Sequence, residues 1–213
     1  KITGRAKELQ REGKSIISLS AGEPDFPTPS FICDAAVEAI RKGAHGYTMN
    51  TGTPELREAI CAKLKRDNGL DYTLAQIICS NGAKQSVGFS LLAMVNPGDE
   101  VIIPAPYWVS YPAMTQLAQG KPVPVRTSFE HNFRLIPEQL EEAITDKTRV
   151  LILCSPSNPT GSCYSKQDLE GLAEVLRRYP NISIISDEIY EYIVFDEEHI
   201  SLLNVAPDLK DRV

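Results

Sequence analysis

Hydrophobic residues in the middle of the chain are grouped in short runs that few polar side chains interrupt. Such runs are typical of strands in a parallel sheet, where both faces of each strand are buried. The predicted strands are Gln76–Ser80, Glu100–Ile103, Pro122–Arg126, Arg149–Cys154 and Ile182–Ser186.

Apolar residues between these runs recur every three or four positions, which predicts helices. The predicted helices are Ala83–Val95, Ser110–Ala118, Pro137–Ile144 and Ser165–Tyr179. The last helix has the clearest pattern, because Leu169, Leu172 and Leu176 share one face. Strands that alternate with helices predict an α/β fold, with a mostly parallel sheet and helices on both faces.

The first 70 or so residues follow another pattern, with one candidate strand at Ile16–Leu19. Gly22–Pro29 contains three prolines in eight residues, which predicts an extended loop. Ser30–Lys42 and Pro54–Asp67 are amphipathic and predict two helices. The second of these is preceded by Thr53, a residue type that favours the N-cap position.

Composition excludes several classes of protein. The chain has 22 basic and 28 acidic residues, a net charge of −6, which argues against a surface for nucleic acid or anionic membranes. No apolar run approaches the roughly 18 residues that a membrane span needs. The five cysteines are irregularly spaced, so we expect reduced thiols and a cytoplasmic protein. The three histidines show no ligand spacing, and we predict no metal site.

Unusual residues follow the predicted strands, at the carboxyl ends where open parallel sheets bind ligands. After the first strand, Gly82 precedes a helix that begins at Ala83, and free N–H groups at a helix start favour a phosphate. A plain tight turn explains Gly82 equally simply. Trp108 follows the second strand, where an indole stacks on a flat ring or fills a gap in the core.

Two further strand ends carry polar candidates. Pro156 and Pro159 flank Asn158 after the fourth strand, either to hold an amide rigidly at a site or to form a structural turn. Asp187 ends the fifth, hydrophobic strand, where a carboxylate needs a partner. That partner is either a cationic ring nitrogen or the N–H groups of a following helix.

Taken together, these clusters resemble the class I (fold-type-I) pyridoxal-phosphate-dependent aminotransferases, in particular the bacterial-type aspartate aminotransferase branch, some of whose members also use prephenate. Each motif is short, but their order and spacing match that family across nearly the whole chain. The matching stretches are Ser20–Pro29 (SAGEPDFPTP), Gly46–Arg57 (GYTMNTGTPELR), Ser80–Gln85 (SNGAKQ), Asn96–Pro112 (NPGDEVIIPAPYWVSYP), Ser155–Gly161 (SPSNPTG) and Ser186–Tyr190 (SDEIY).

The resemblance implies pyridoxal 5'-phosphate as cofactor and assigns residues to its phosphate and ring. Gly82, Ala83 and Lys84 correspond to the phosphate-binding residues of the family, which act mostly through backbone N–H groups. Trp108 corresponds to the aromatic residue that stacks on the pyridine ring. Lys84 belongs to the phosphate loop and is not expected to bond covalently to the cofactor.

The resemblance also implies contacts to the ring substituents, the substrate and a second subunit. Asn158 and Tyr190 correspond to residues that hydrogen-bond the ring hydroxyl oxygen, and Asp187 to the carboxylate that pairs with the ring nitrogen. Tyr47 corresponds to a tyrosine that reaches the phosphate of the neighbouring subunit, which implies a homodimer. The implied substrate contacts are Gly22, Trp108 and Asn158.

The family's Schiff-base lysine has no counterpart in the chain. It is expected beyond Val213, so we expect a fragment that contains no catalytic residue and is inactive alone. Residues 1–29 correspond to an N-terminal arm with the substrate loop, and residues 30–213 to an incomplete large cofactor-binding domain. The implied activity moves an amino group between an amino acid, with aspartate favoured, and a 2-oxo acid. Two alternatives stay open, a lyase of the aminocyclopropane-carboxylate synthase type and a non-catalytic domain of a regulator.

Overall fold

The computed structural model describes residues 2–17, 22, 26–196 and 198–213, and the chain forms two compact units, residues 1–47 and 48–213. The first unit contains α1 (Ile2–Arg11) and α2 (Ser30–Arg41). Of the strand predicted at 16–19, the first two residues have no regular structure and the last two lie outside the described residues. Residues 23–25 of the predicted loop also lie outside them. The domain boundary after residue 29 stays a prediction.

The second unit is built around a parallel sheet. In its described part four strands pair in the order β2-β1-β3-β4, and every pairing is parallel. The strands are β1 (Glu100–Ala105), β2 (Lys121–Arg126), β3 (Thr148–Cys154) and β4 (Ser183–Asp187). The helices are α3 (Pro54–Asn68), α4 (Ala83–Met94), α5 (Ser110–Leu117), α6 (Pro137–Ala143), α7 (Lys166–Arg178) and α8 (Leu202–Val205).

Each face of the sheet is covered by its own hydrophobic core, because successive strand residues point to opposite faces. Val150 and Ile152 of β3 join the core that α4 and α5 cover. Leu151 and Leu153 join the core that α6, α7 and α8 cover. The predicted α/β fold, with helices on both faces of a parallel sheet, is confirmed.

Side chains that precede α3 and α7 cap the first turns of these helices. The Thr53 hydroxyl accepts a hydrogen bond from the backbone N–H of Leu56, at 3.3 Å, and so caps α3. Gly69 ends α3 in the left-handed conformation, with φ of 67°. Ser165 and Asp168 form a capping box at the start of α7. Local capping chemistry therefore sets these helix ends.

The strand predicted at Gln76–Ser80 is wrong. A short 3₁₀ helix, Leu74–Gln76, precedes irregular backbone in which Ile78 is 70% exposed. The backbone N–H of Cys79 donates to the carbonyl of Thr51, which is not part of a strand. An apolar run becomes a strand only when it pairs with another strand, and none of the four described strands pairs with this segment.

Two helices that the hydrophobic pattern does not predict are present. The first, α1, is polar and contains no buried residue. The second, α8, is a single turn whose Leu202 and Leu203 are buried in the core beside α7. Among the described residues, no helix is both long and apolar enough to cross a membrane.

We expect Leu172→Ala to lower the free energy of unfolding by about 2–5 kcal/mol, because it leaves a cavity under α7 in a closely packed core. Leu172 is completely buried between α7 and the sheet. Urea denaturation followed by circular dichroism measures the change. Glu174→Ala, at an exposed position on the same helix, is the control and should leave the midpoint nearly unchanged. An equal loss in both variants would contradict this account of the core.

Candidate active site

A cavity of about 250 Å³ lies at the carboxyl ends of the strands, where the sheet meets the start of α4. Seven of the residues singled out from the sequence contribute to its wall. They are Gly82, Ala83, Lys84, Trp108, Asn158, Asp187 and Tyr190. Tyr111, Cys154 and Ile189 complete the lining. The structure therefore brings together residues from four separate chain segments.

The start of α4 presents unpaired backbone N–H groups to this cavity. Gly82, the N-cap residue, has a φ of 82°, a conformation that a side chain disfavours. Within the described residues, the N–H groups of Ala83 and Lys84 have no hydrogen-bond acceptor. The positive end of the helix dipole adds to their attraction for an anion. This wall of the cavity suits a phosphate group.

Trp108 forms another wall and is only partly buried. Its ring meets Tyr111 edge to face, with centroids 5.4 Å apart and planes at 87°. The ammonium group of Lys84 lies 5.0 Å from the indole centroid. The indole therefore packs on the core through Tyr111 and also lines the cavity. Its predicted role in stacking on a cofactor ring stays a prediction.

Asn158 and Tyr190 come from different loops and are in contact. The Asn158 amide Nδ2 donates a hydrogen bond of 3.2 Å to the Tyr190 hydroxyl. The loop that carries Asn158 is closed by a hydrogen bond of 2.9 Å from the backbone N–H of Ser157 to the carbonyl of Ser162. Two polar groups that the resemblance assigns to one ligand atom thus lie side by side.

Asp187 is the most constrained polar residue of the site. It is 8% exposed and ends β4, directly opposite Cys154 of β3. Its Oδ2 accepts a hydrogen bond of 2.6 Å from the Tyr111 hydroxyl, and its Oδ1 accepts one of 3.3 Å from the N–H of Ile189. The alternative of an N-cap is wrong, because the described residues from Glu188 to Ile200 form no helix.

Tyr111 is a site residue that sequence reasoning missed. Burial, reinforced by Cys154 and Asp187, raises the pKa of its hydroxyl, so Tyr111 stays neutral and donates to the carboxylate. The indication in the sequence was the spacing of Tyr111 from Trp108, because the two residues lie three positions apart at the start of a helix. That spacing indicates proximity to the cavity but not the contact with Asp187.

Among the residues that the structure describes, Asp187 has no cationic partner. No lysine, arginine or histidine nitrogen lies within ion-pair distance of its carboxylate in the part of the chain that the structure describes. A buried carboxylate with only neutral donors is costly unless a cation compensates it. The residues present therefore fit a cationic ligand atom beside Asp187 and an anionic group at α4.

Two predicted site residues lie in the first unit, outside this cavity's unit. Gly22 is exposed and has no regular structure. Tyr47 is the last residue of that unit, and its side chain is fully exposed. Their predicted contacts, to the substrate carboxylate and to the phosphate of a second subunit, stay predictions.

Known proteins of one family match this chain. A family model described as aminotransferase class I and II matches residues 14–213. An aspartate/prephenate aminotransferase of Nitrosomonas europaea is 50% identical over 99% of this chain and 53% of its own length. A bifunctional aspartate aminotransferase and glutamate/aspartate-prephenate aminotransferase of Petunia hybrida is 53% identical over 99% of this chain and 44% of its own.

Solved structures show the same fold. The crystal structure of an aspartate aminotransferase from Rhizobium meliloti has a TM-score of 0.96 and 46% identity, over 99% of this chain and 53% of that one. An aspartate aminotransferase from Thermus thermophilus with maleate has a TM-score of 0.92 and 43% identity, over 97% and 54%. The chain spans about half the length of the curated relatives it matches.

We expect Tyr111→Phe to lower the free energy of unfolding by about 1.5–3 kcal/mol, because it removes a donor from a buried carboxylate. Urea denaturation measures the loss. Tyr107→Phe is the matched control, since the Tyr107 hydroxyl has no hydrogen-bond partner among the residues that the structure describes. If the two variants were equally stable, the bond from Tyr111 to Asp187 would not stabilise the fold.

Proposed function

Because the chain belongs to the class I and II aminotransferases, we propose that its protein transfers an amino group between an amino acid and a 2-oxo acid. Members of this family use pyridoxal phosphate. The observation that carries the proposal is the buried carboxylate of Asp187, which has no cationic partner among the described residues. It lines the same cavity as Ala83 and Lys84, whose N–H groups have no acceptor among those residues.

The start of α4 is proposed to hold the cofactor's phosphate. The N–H groups of Ala83 and Lys84 donate to it, and Gly82, with its positive φ and no side chain, lets the backbone approach closely. Trp108 is proposed to cover one face of the ring, since its indole already lines the cavity. The unpaired donors and the aromatic wall support this arrangement.

The ring substituents are proposed to meet Asp187, Asn158 and Tyr190. When bound, pyridoxal phosphate supplies an electron sink for the carbanion at the substrate Cα. Asp187 keeps the ring nitrogen protonated, because its negative charge stabilises the cationic form. Asn158 and Tyr190 donate hydrogen bonds to the ring hydroxyl oxygen. Their mutual contact of 3.2 Å supports a shared ligand atom.

Aspartate is the proposed amino donor, with a 2-oxo acid as acceptor. The names of the relatives, which mention aspartate and prephenate, support this choice of substrates. Gly22, Trp108 and Asn158 are the proposed substrate contacts. A lyase acting on an amino acid would use the same cofactor, so the assay must follow both products.

The assembly and domain division belong to the same proposal. We place residues 1–29 in an N-terminal arm and residues 30–213 in the large cofactor-binding domain, as the resemblance implies. The active form is a homodimer in which Tyr47 reaches the partner subunit's phosphate site, and the full exposure of its side chain supports such a contact. The free thiols of Cys33, Cys61, Cys79 and Cys154 support a reducing, cytoplasmic location.

We expect Asp187→Asn in the full-length protein to lower kcat for aspartate transamination by about 10²- to 10³-fold or more, because a neutral ring nitrogen is a poorer electron sink. Steady-state kinetics with aspartate and 2-oxoglutarate measure the loss. Asp146→Asn, on an exposed loop, removes the same charge away from the cavity and should keep wild-type activity.

A near-native kcat for the Asp187 variant would show that the carboxylate does not act on the ring nitrogen. A wild-type protein that eliminates a group from the amino acid, without forming the new amino acid, would instead identify the lyase. A protein with neither activity would be the non-catalytic alternative.

We expect two inactive full-length variants, Tyr47→Ala and Asp187→Ala, to restore activity when they are refolded together. A mixed dimer contains one site with both defects and one with neither. Since half of the dimers are mixed and each has one intact site, activity should reach about one quarter of wild type. Absence of recovery, with mixed dimers confirmed by native mass spectrometry, would place Tyr47 in its own subunit's site or in no site.

A further inference from the structure

The carboxylate of Glu188, directly after Asp187, is held by three side chains outside the cavity. Its Oε1 accepts hydrogen bonds from the hydroxyls of Ser186, at 2.6 Å, and Ser201, at 2.7 Å. Its Oε2 lies 3.1 Å from Nε2 of His199. The Glu188 side chain is only 21% exposed. This cluster is thus a built polar site, although the proposed chemistry does not use it.

The Glu188 cluster connects the two ends of the loop that follows β4. Ser186 and Glu188 lie at the end of β4, whereas His199 and Ser201 lie where the chain returns to begin α8. The loop between them includes Tyr190, whose hydroxyl contacts Asn158 at the cavity. Hydrogen bonds to Glu188 therefore join the two ends of the segment that carries a proposed cofactor contact.

The electrostatics show that Glu188 acts as a charged acceptor. Burial opposes ionisation, yet the hydrogen bonds from His199, Ser186 and Ser201 lower the pKa of Glu188 below its ordinary value. The His199 side chain is 7% exposed, and its Nδ1 has no partner among the described residues. Glu188 is thus the hydrogen-bond partner that the structure provides for this imidazole.

The side chains of the Glu188 cluster and of Asp187 leave the end of β4 on opposite faces. Successive side chains point to opposite faces. Ser186 accordingly donates to Glu188, which also contacts His199 and Ser201, while Asp187 between them contacts Tyr111. The two residues that flank Asp187 are thus hydrogen-bonded on the face opposite to the one that Asp187 uses.

We propose that Glu188, His199 and Ser201 form a clasp that positions Asp187 and Tyr190 for the cofactor. The proposal rests on the proposed function, since it assigns positioning residues to that same site. The clasp acts through the backbone of residues 187–190 and does not touch the cofactor. Its loss should therefore weaken cofactor binding and lower kcat more than it changes KM for the amino acid.

The test uses the full-length protein with Glu188→Gln and the pair His199→Ala and His199→Gln. Glu188→Gln keeps the shape but removes the charge, and His199→Gln keeps an N–H donor that His199→Ala lacks. We expect Glu188→Gln and His199→Ala to raise the dissociation constant for pyridoxal phosphate by roughly 10- to 100-fold, by analogy with residues that orient the ligands of a metal ion. His199→Gln should stay close to wild type.

Glu198→Gln is the matched control, because it removes a carboxylate from the same loop at an exposed position. Cofactor binding is measured by absorbance titration, kcat and KM by steady-state kinetics, and folding by circular dichroism in urea. The expected pattern is weaker cofactor binding in Glu188→Gln and His199→Ala, with native circular dichroism and an unchanged control.

Two results would overturn the clasp. In the first, Glu188→Gln unfolds more easily but keeps wild-type cofactor binding and kcat, so the cluster only stabilises the fold. In the second, both His199 variants lose cofactor equally, so the N–H donor is irrelevant. If Glu188→Gln does not fold, the comparison of cofactor binding between His199→Ala and His199→Gln tests the clasp by itself. A wild-type protein that binds the cofactor but does not transaminate refutes the proposed function only, because the binding comparison still tests the clasp.

Discussion

The site depends on one costly arrangement, a carboxylate buried at the end of a hydrophobic strand. Asp187 retains only 8% of its exposure and receives hydrogen bonds from the neutral Tyr111 hydroxyl and the N–H of Ile189. Neutral donors satisfy its oxygens without cancelling its charge. The pairing of β4 with β3 holds the residue opposite Cys154, so the backbone cannot easily turn the carboxylate out to water.

Parallel pairing explains why distant parts of the chain meet at this carboxylate. When all strands run in one direction, their carboxyl ends reach the same edge of the sheet. The residues that follow β1, β3 and β4 therefore come together, and the start of α4 joins them. The cavity at this edge is a consequence of strand direction, and its chemistry is a consequence of which residues follow each strand.

Local rules were sufficient to predict most elements, but contacts between elements were not. The helix start at Thr53 and the buried strand around Leu151 depend on neighbouring residues in the sequence, and both were confirmed. The segment around Ile78 has the composition of a strand but lacks a partner strand among the described residues. The strand predicted from its hydrophobic pattern is therefore wrong. The role of Tyr111 was missed because its hydrogen-bond partner lies 76 positions away, and the periodicity of hydrophobic residues does not indicate such distant contacts.

The two adjacent carboxylates at the end of β4 differ in the groups that donate hydrogen bonds to them. Glu188 faces an imidazole and two hydroxyls, which together lower its pKa despite burial. Asp187 faces a phenol and an amide, and within the described part of the chain no cationic side chain reaches it. Strand alternation thus separates a carboxylate that joins the two ends of the loop from one that lines the cavity. Because the two residues are adjacent in the chain, the hydrogen bonds that hold Glu188 also restrain the backbone of Asp187 without entering the cavity.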